Sequence, residues 1–330
     1  MPGSVASMFS EAEDFETALR QEGCLGLLVT GRGAFRARLT QVALHRLNLA
    51  AGEEQLARVA LIAVPAGSVL VTFAIGKAPT PIWAGIETRV NEIITIGPGE
   101  IFHARTGGPA VWSTLRIQER EWLDYGCALT QSRFVIPRGI ARWRPPSAAT
   151  RCLRDLHRAA MRTAETRPGA LADVEAAHGL QQQIIDALIE CLAAISAEEE
   201  SLAAKRHRDI LAWFEDLLQA GPARSLPAIC AELGMSERIL RESCGLCLGL
   251  SPIEYRRRRA MQQVNRELCS GNPNATTVSA IARRYGFRDL GHFAGAYRAI
   301  YDELPSATLR RGSREGVAVL TLGRSRVTFS

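Results

Sequence analysis

Arg238 and Arg241 stand three residues apart, so a helix through them carries both guanidinium groups on one face. A guanidinium is a planar fork of donors that fits guanine O6 and N7, or a phosphate. The alternative for such a pair is a solvated surface. Four more arginines, Arg256 to Arg259, follow in a run. Four consecutive residues fan almost all the way round a helix, so at most two can face one duplex. The rest would pair with acids such as Glu254 or Glu267, or lie in solvent. Cys244 and Cys247 have the CxxC spacing of redox and zinc motifs, but no second pair lies nearby and the preceding context is not strand-then-helix. Small buried thiols account for them, and for Cys230. His45 and His103 come with no HxH pair, so neither metal nor cofactor is expected. The aromatics Phe73, Trp83, Phe102 and Trp112 can line a ligand pocket, although such residues more often fill a core. No grouping of residues reads as catalytic, and binding without chemistry is the expectation.

The bulk composition agrees without deciding. The chain has 330 residues, with 40 Lys and Arg against 34 Asp and Glu, a formal net charge of +6. Only Lys77 and Lys205 are lysines. A mild basic excess is compatible with nucleic acid, and heavy arginine use also follows from a GC-rich coding sequence. Val59 to Gly76 carries no charge and approaches the length of a membrane span. Pro65, Ala66, Gly67 and Ser68 interrupt it, which predicts two buried strands joined by a turn. The acidic N-terminus (Glu11, Glu13, Asp14, Glu16) has no secretion pattern. A cytoplasmic protein with reduced thiols and no membrane partner is expected.

The elements that would position these residues form three groups. Residues 1–33 read as a lead, helical around Glu11 to Gln21. Residues 34–150 hold short runs (Phe35–Leu39, Ala57–Val64, Val69–Ile75, Glu92–Ile96, Val111–Ile117) between Gly- and Pro-rich turns, which predicts a β-rich, cupin-like sensing domain. After Pro145-Pro146 the period becomes helical. Residues 151–203 read as a helical connector, with Leu180, Ile184, Leu188, Cys191 and Leu192 on one stripe. Residues 204–311 read as all-helical, and 312–330 as a tail. The class is α+β multidomain.

The last helical part contains a duplication. Leu226, Ile229, Cys230, Leu233, Gly234 and Met235 recur as Val278, Ile281, Ala282, Tyr285, Gly286 and Phe287, 52 residues later. Each copy has an apolar i, i+3 face and a Gly that ends the helix. A second short helix follows, capped by Ser236 in one copy and Asp289 in the other. That is the helix-turn-helix pattern: the first helix and the buried face of the second make a small core, which leaves the second helix an outer face for the major groove. One copy alone is equally a plain helical hairpin; two matched copies with basic second helices favour DNA binding. A helix beginning at Ser251-Pro252 and ending at Gly271-Asn272-Pro273 joins them and would hold them at a set separation.

These residues resemble the AraC/XylS family of transcription regulators. The resemblance runs from about Ser225 to Arg310, through LPAICAELGMSERILRESC, GLSPIEYRRRRAMQQVNREL and TTVSAIARRYGFRDLGHFAGAYRAIYDELPSATLR. It covers about a quarter of the chain. By position it implies that Ser236, Arg238, Arg241 and Glu242 face DNA in the first unit. In the second it implies Arg288, Leu290, Gly291, His292, Gly295 and Arg298. Cys244 stands where the family usually has Phe. Gly291 and Gly295 remove side chains where the second helix often reads bases, so the first unit is expected to supply most base readout and the second mainly phosphate contacts. His292 reads equally as a DNA contact, a turn cap or plain surface.

The resemblance also implies a function: a DNA-binding transcription regulator, by default an activator, controlled by a small-molecule effector. The expected partners are promoter DNA, that effector, RNA polymerase and a second copy of the chain, paired through the connector's apolar helices. The alternatives are a cupin-like metalloenzyme or a DNA-repair protein fused to the same module, and a helical adaptor that binds no nucleic acid. The repair version requires a cysteine-rich zinc site near the N-terminus, where Cys24 stands alone.

Overall fold

In the computed structural model the described residues are 2–76, 78–130, 137–193, 197–221 and 224–311, with side chains of 126–130 left aside. Lys77 and the expected tail, 312–330, lie outside them. The chain divides into two compact units, one of residues 1–209 with 246–249, the other of 210–245 and 250 onward.

The first unit holds thirteen strands among the described residues. They are β1 (Gly3–Phe9), β2 (Cys24–Val29), β3 (Ala37–Ala43), β4 (Leu47–Glu54), β5 (Arg58–Ala63), β6 (Ser68–Phe73), β7 (Ile82–Trp83), β8 (Ile86–Glu87), β9 (Ile93–Ile96), β10 (Ile101–Thr106), β11 (Ala110–Gln118), β12 (Ile140–Trp143) and β13 (Glu198–Glu199). Its helices are α1 (Ala12–Leu19), α2 (Glu119–Thr130), α3 (Ser147–Thr166) and α4 (Val174–Ala193). One sheet runs β1-β3-β4-β11-β6-β9-β12-β13, the other β2-β5-β10-β7-β8. The recorded pairings are antiparallel, for example Leu115 opposite Leu49 and Val71.

Alternation along the strands builds two cores. Successive side chains of a strand point to opposite faces. In β6, Leu70 joins the core that also holds Leu27, Ala60, Phe102 and Trp112 of other strands. Its neighbours Val69 and Val71 join a second core with Ile184, Ile185, Leu188 and Leu192 of α4. Every residue of β6 is therefore buried, as a strand covered on both faces requires. The uncharged stretch from Val59 to Gly76 is β5 and β6. The turn at Pro65-Ala66-Gly67 carries the chain from one sheet to the other.

Three features differ from the sequence-based expectation. The lead, 1–33, contributes β1 and β2 to the sheets as well as α1. β4 and β10 are full strands, although Asn48, Glu53, Glu54, His103 and Arg105 break their apolar pattern. The stripe on α4 expected to pair protomers is buried against this chain's own sheet. An amphipathic stripe has the same period whether it meets a partner or a sheet.

His157 of α3 is fully buried and meets Phe73 edge-on at 5.4 Å. Neither ring nitrogen makes a hydrogen bond of normal geometry, although backbone of Thr114 and Ala50 lies beside the ring. Burial pushes its pKa down from 6.5 to about 4. Above 6.5 the ring is neutral folded or unfolded. As the pH falls from 6.5 to 4 the unfolded chain takes up the proton first, so stability drops by roughly 1.4 kcal/mol per unit, about 3 kcal/mol at pH 4. Urea unfolding at pH 7 and pH 5 should show this loss, and a His157→Phe variant should show it reduced by about 2 kcal/mol. Equal pH dependence in both proteins would contradict it.

The second unit holds most of α5 (Leu202–Ala220) and α7 (Glu237–Leu248). It also holds α6 (Leu226–Glu232), α8 (Pro252–Ser270), α9 (Val278–Arg284), α10 (Leu290–Tyr301) and a last helical segment, 305–311. One of its cores gathers Met261, Val264 and Leu268 of α8 with Ile281 and Ala282 of α9 and Phe293 and Tyr297 of α10. The Tyr297 hydroxyl bonds Asn265 Oδ1 at 2.5 Å and Thr308 Oγ1 at 2.8 Å, satisfying its polar end. On α5, buried Glu215 accepts from the Tyr255 hydroxyl and pairs with Arg259, which ties α5 to α8.

Candidate nucleic-acid interface

The duplication seen in the sequence extends to individual hydrogen bonds. Ser225 Oγ caps α6 by accepting from the Ala228 amide at 3.4 Å; Thr277 Oγ1 caps α9 by accepting from the Ala280 amide at 3.2 Å. α6 ends at Gly234 (φ +63°) and α9 at Gly286 (φ +87°), a left-handed conformation that glycine adopts without Cβ strain. In the first copy the Met235 amide donates to Cys230 O and Gly234 to Ala231 O. In the second, Phe287 donates to Ala282 O and Gly286 to Arg283 O. Both turns are thus the same Schellman motif with an apolar residue after the glycine. The following helices are capped in kind, by Ser236 Oγ on the Ile239 amide (3.4 Å) and Asp289 Oδ1 on the His292 amide (3.0 Å).

Packing then sorts the faces. In α7, Leu240, Ser243, Cys244 and Cys247 are buried, while Ser236, Arg238, Arg241 and Glu242 are exposed. In α10, Phe293 and Tyr297 are buried. Arg288, Gly291, His292, Gly295 and Arg298 are exposed and Leu290 is half-buried. Each second helix thus stands outward on its own core. Arg241 pairs with Glu237 one turn back, but both side chains are largely in water, so the pair holds the guanidinium only weakly.

The arginine run fans as its spacing predicts. Arg256 donates to the carbonyl of Arg224, and Arg258 pairs with Glu254 at 2.9 Å. Arg259 pairs with Glu215 and lies 5.9 Å over the Tyr255 ring. Arg257 is exposed, and its Nη2 reaches His292 Nδ1 of α10 at 2.8 Å. Together with Ile253, Phe287 and Arg288 this pair borders an open groove of about 320 Å³. No local signal could have joined Arg257 to His292, which lie 35 residues apart.

The other residues singled out by type are buried, apart from His45. Cys230, Cys244 and Cys247 are buried free thiols, and burial raises that of Cys247 to about 11. His103 is buried on β10, whereas His45 is exposed at the β3–β4 turn. Among the described residues no group of three or more His, Cys, Asp or Glu stands close enough to hold a metal ion. Phe73, Trp83, Phe102 and Trp112 are all buried. Trp83 and Trp112 also line a cavity of about 30 Å³ between the sheets, beside Cys24 and Arg58. In the described residues no helix is long and apolar enough to cross a membrane.

Comparison with known proteins bears on the second unit. The family described as "Helix-turn-helix domain" matches residues 229–311. The XylDLEGF operon transcriptional activator 3 of Pseudomonas putida is 33% identical over 125 residues, 38% of this chain and 37% of that protein. The probable thc operon regulatory protein of Rhodococcus erythropolis is 31% identical over 97 residues, 29% of each chain. The chain therefore spans well under half the length of these relatives. Among solved structures, the AraC-like transcriptional activator CuxR aligns over 80% of this chain and 96% of its own, at 17% identity and a TM-score of 0.41. Residues 229–311 thus form a helix-turn-helix domain, similar in sequence to the matching part of these operon regulators.

Proposed function

We propose that the protein is a sequence-specific DNA-binding transcription regulator, acting without chemistry of its own. The observation that carries this reading is the pair of identically built turns, each followed by a capped helix whose polar face is left in solvent. Ser236, Arg238, Arg241 and Glu242 would read one major-groove segment. Arg288, Leu290, Gly291, His292, Gly295 and Arg298 would meet the next. Activation, with RNA polymerase as partner, follows by kinship with the operon activators. The β-rich unit would sense a small molecule, and α5, whose residues belong partly to each unit, would carry its effect. Near its start Arg208 is held by Glu200 (2.9 Å) and Glu100 of the first unit, and further on Glu215 is held within the second. A ligand acts through such a path only if it binds two arrangements with different affinity. A second copy of the chain would pair through a surface other than the buried stripe of α4.

Selection of bound fragments from a genomic library tests the reading. Enrichment of a shared motif at moderate salt is expected. Uniform binding to all fragments would leave only the electrostatic, sequence-independent term and overturn it.

A further inference from the structure

The bond between α8 and the second recognition helix fixes more than position. A guanidinium has five donors and no acceptor. In the 2.8 Å bond between Arg257 Nη2 and His292 Nδ1, the imidazole nitrogen must therefore accept. A neutral ring whose Nδ1 accepts carries its proton on Nε2. We infer that Arg257 is a positioning residue that sets His292 as a one-way donor toward DNA, so that His292 reads an acceptor on a base edge rather than serving only as a phosphate contact. The inference rests on the DNA-binding reading above and deepens it.

Three observations support base reading by His292. It stands in the first turn of α10, the part of a recognition helix that meets base edges. Gly291 before it and Gly295 one turn on have no side chains, and a Cβ at Gly295 would meet nothing within 4 Å. The backbone of α10 can therefore come close to a groove, with the imidazole as the polar group projecting from that turn. The ring is also held from behind by α8, whose Asn265 is locked to Tyr297 of the same recognition helix. A donor at Nε2 fits guanine N7 and O6, adenine N7 or thymine O4; it does not fit the amino donor of cytosine N4.

The experiment is selection of bound sequences from a randomised duplex pool with the full chain and the Arg257→Met, Arg257→Lys and His292→Ala variants. Native protein should enrich a base presenting a major-groove acceptor at one position. His292→Ala should lower that preference about five- to tenfold, at that position alone. Arg257→Met should reduce the same preference, because the freed ring can present either nitrogen. Arg257→Lys, which keeps a donor, should restore most of it. A protein carrying both Arg257→Met and His292→Ala should read like His292→Ala alone, since the arginine acts through the ring. The inference is overturned if Arg257→Met weakens binding equally across all sequences and leaves the preference intact, as a plain phosphate contact would. Failure of native protein to enrich any motif would instead defeat the DNA-binding reading itself.

Discussion

Changing both Arg238 and Arg241 to alanine is expected to abolish most sequence preference in the first half of the bound site. Each bidentate contact to guanine contributes about 1–3 kcal/mol of discrimination. The two stand on one exposed face of α7, on a helix whose other side is buried through Leu240 and Cys244. The double change leaves that core untouched, so the fold should survive. The surface pair between Arg241 and Glu237 contributes little, so its loss does not explain a large effect. Competition gel-shift with selected and random duplexes measures this directly. A ratio of specific to random affinity that falls by at least tenfold is expected. A proportional loss on both duplexes would show that the arginines meet only phosphates.

Arg58→Ala is expected to destabilise the β-rich unit by about 3–5 kcal/mol, the usual cost of leaving one member of a buried ion pair alone. Arg58 and Glu54 are 2% and 3% exposed, four residues apart across the turn from β4 to β5. Arg58 Nε and Nη2 bond both oxygens of Glu54 at 2.7 and 2.8 Å, and Nη1 bonds the Ala104 carbonyl at 2.8 Å. Trp112 Nε1 donates to the same carboxylate at 2.6 Å. With Arg58 gone, that carboxylate keeps only the indole of these partners and must protonate or admit water. An Arg58→Met, Glu54→Gln double variant removes both charges and keeps an acceptor for Trp112. It should recover more than half of the loss. Urea unfolding followed by tryptophan fluorescence checks both values; a cost under 1 kcal/mol for Arg58→Ala would contradict the cluster's role.

The helix-turn-helix unit was legible because its signals are local. The Gly, the apolar residue after it and the cap three residues before a free amide all lie within one turn of chain. Gly234 and Gly286 therefore announced their turns, and the exposed face of each second helix followed from the period. The helices of 151–203 were legible as helices, but Ile184 and Leu188 carried no sign of whether a sheet or a partner would cover them. β1 and β2 were missed because the flanking stretch reads as a helical lead with glycines. β4 was missed because the charged Glu54 looks like a surface residue until Arg58 and Trp112 are brought to it. Arg257 and His292 meet through tertiary packing alone.

Missing-base interference on the selected site tests the central claim most directly, because it marks base contacts position by position, whichever base is read. Per protein chain, the account predicts two clusters of interfering positions on one face of the duplex, about 34 Å apart. The Arg238, Arg241 double variant should erase one cluster and His292→Ala should weaken the other. A single cluster, or two clusters unchanged in these variants, would show that the outward faces of α7 and α10 are not what the DNA meets.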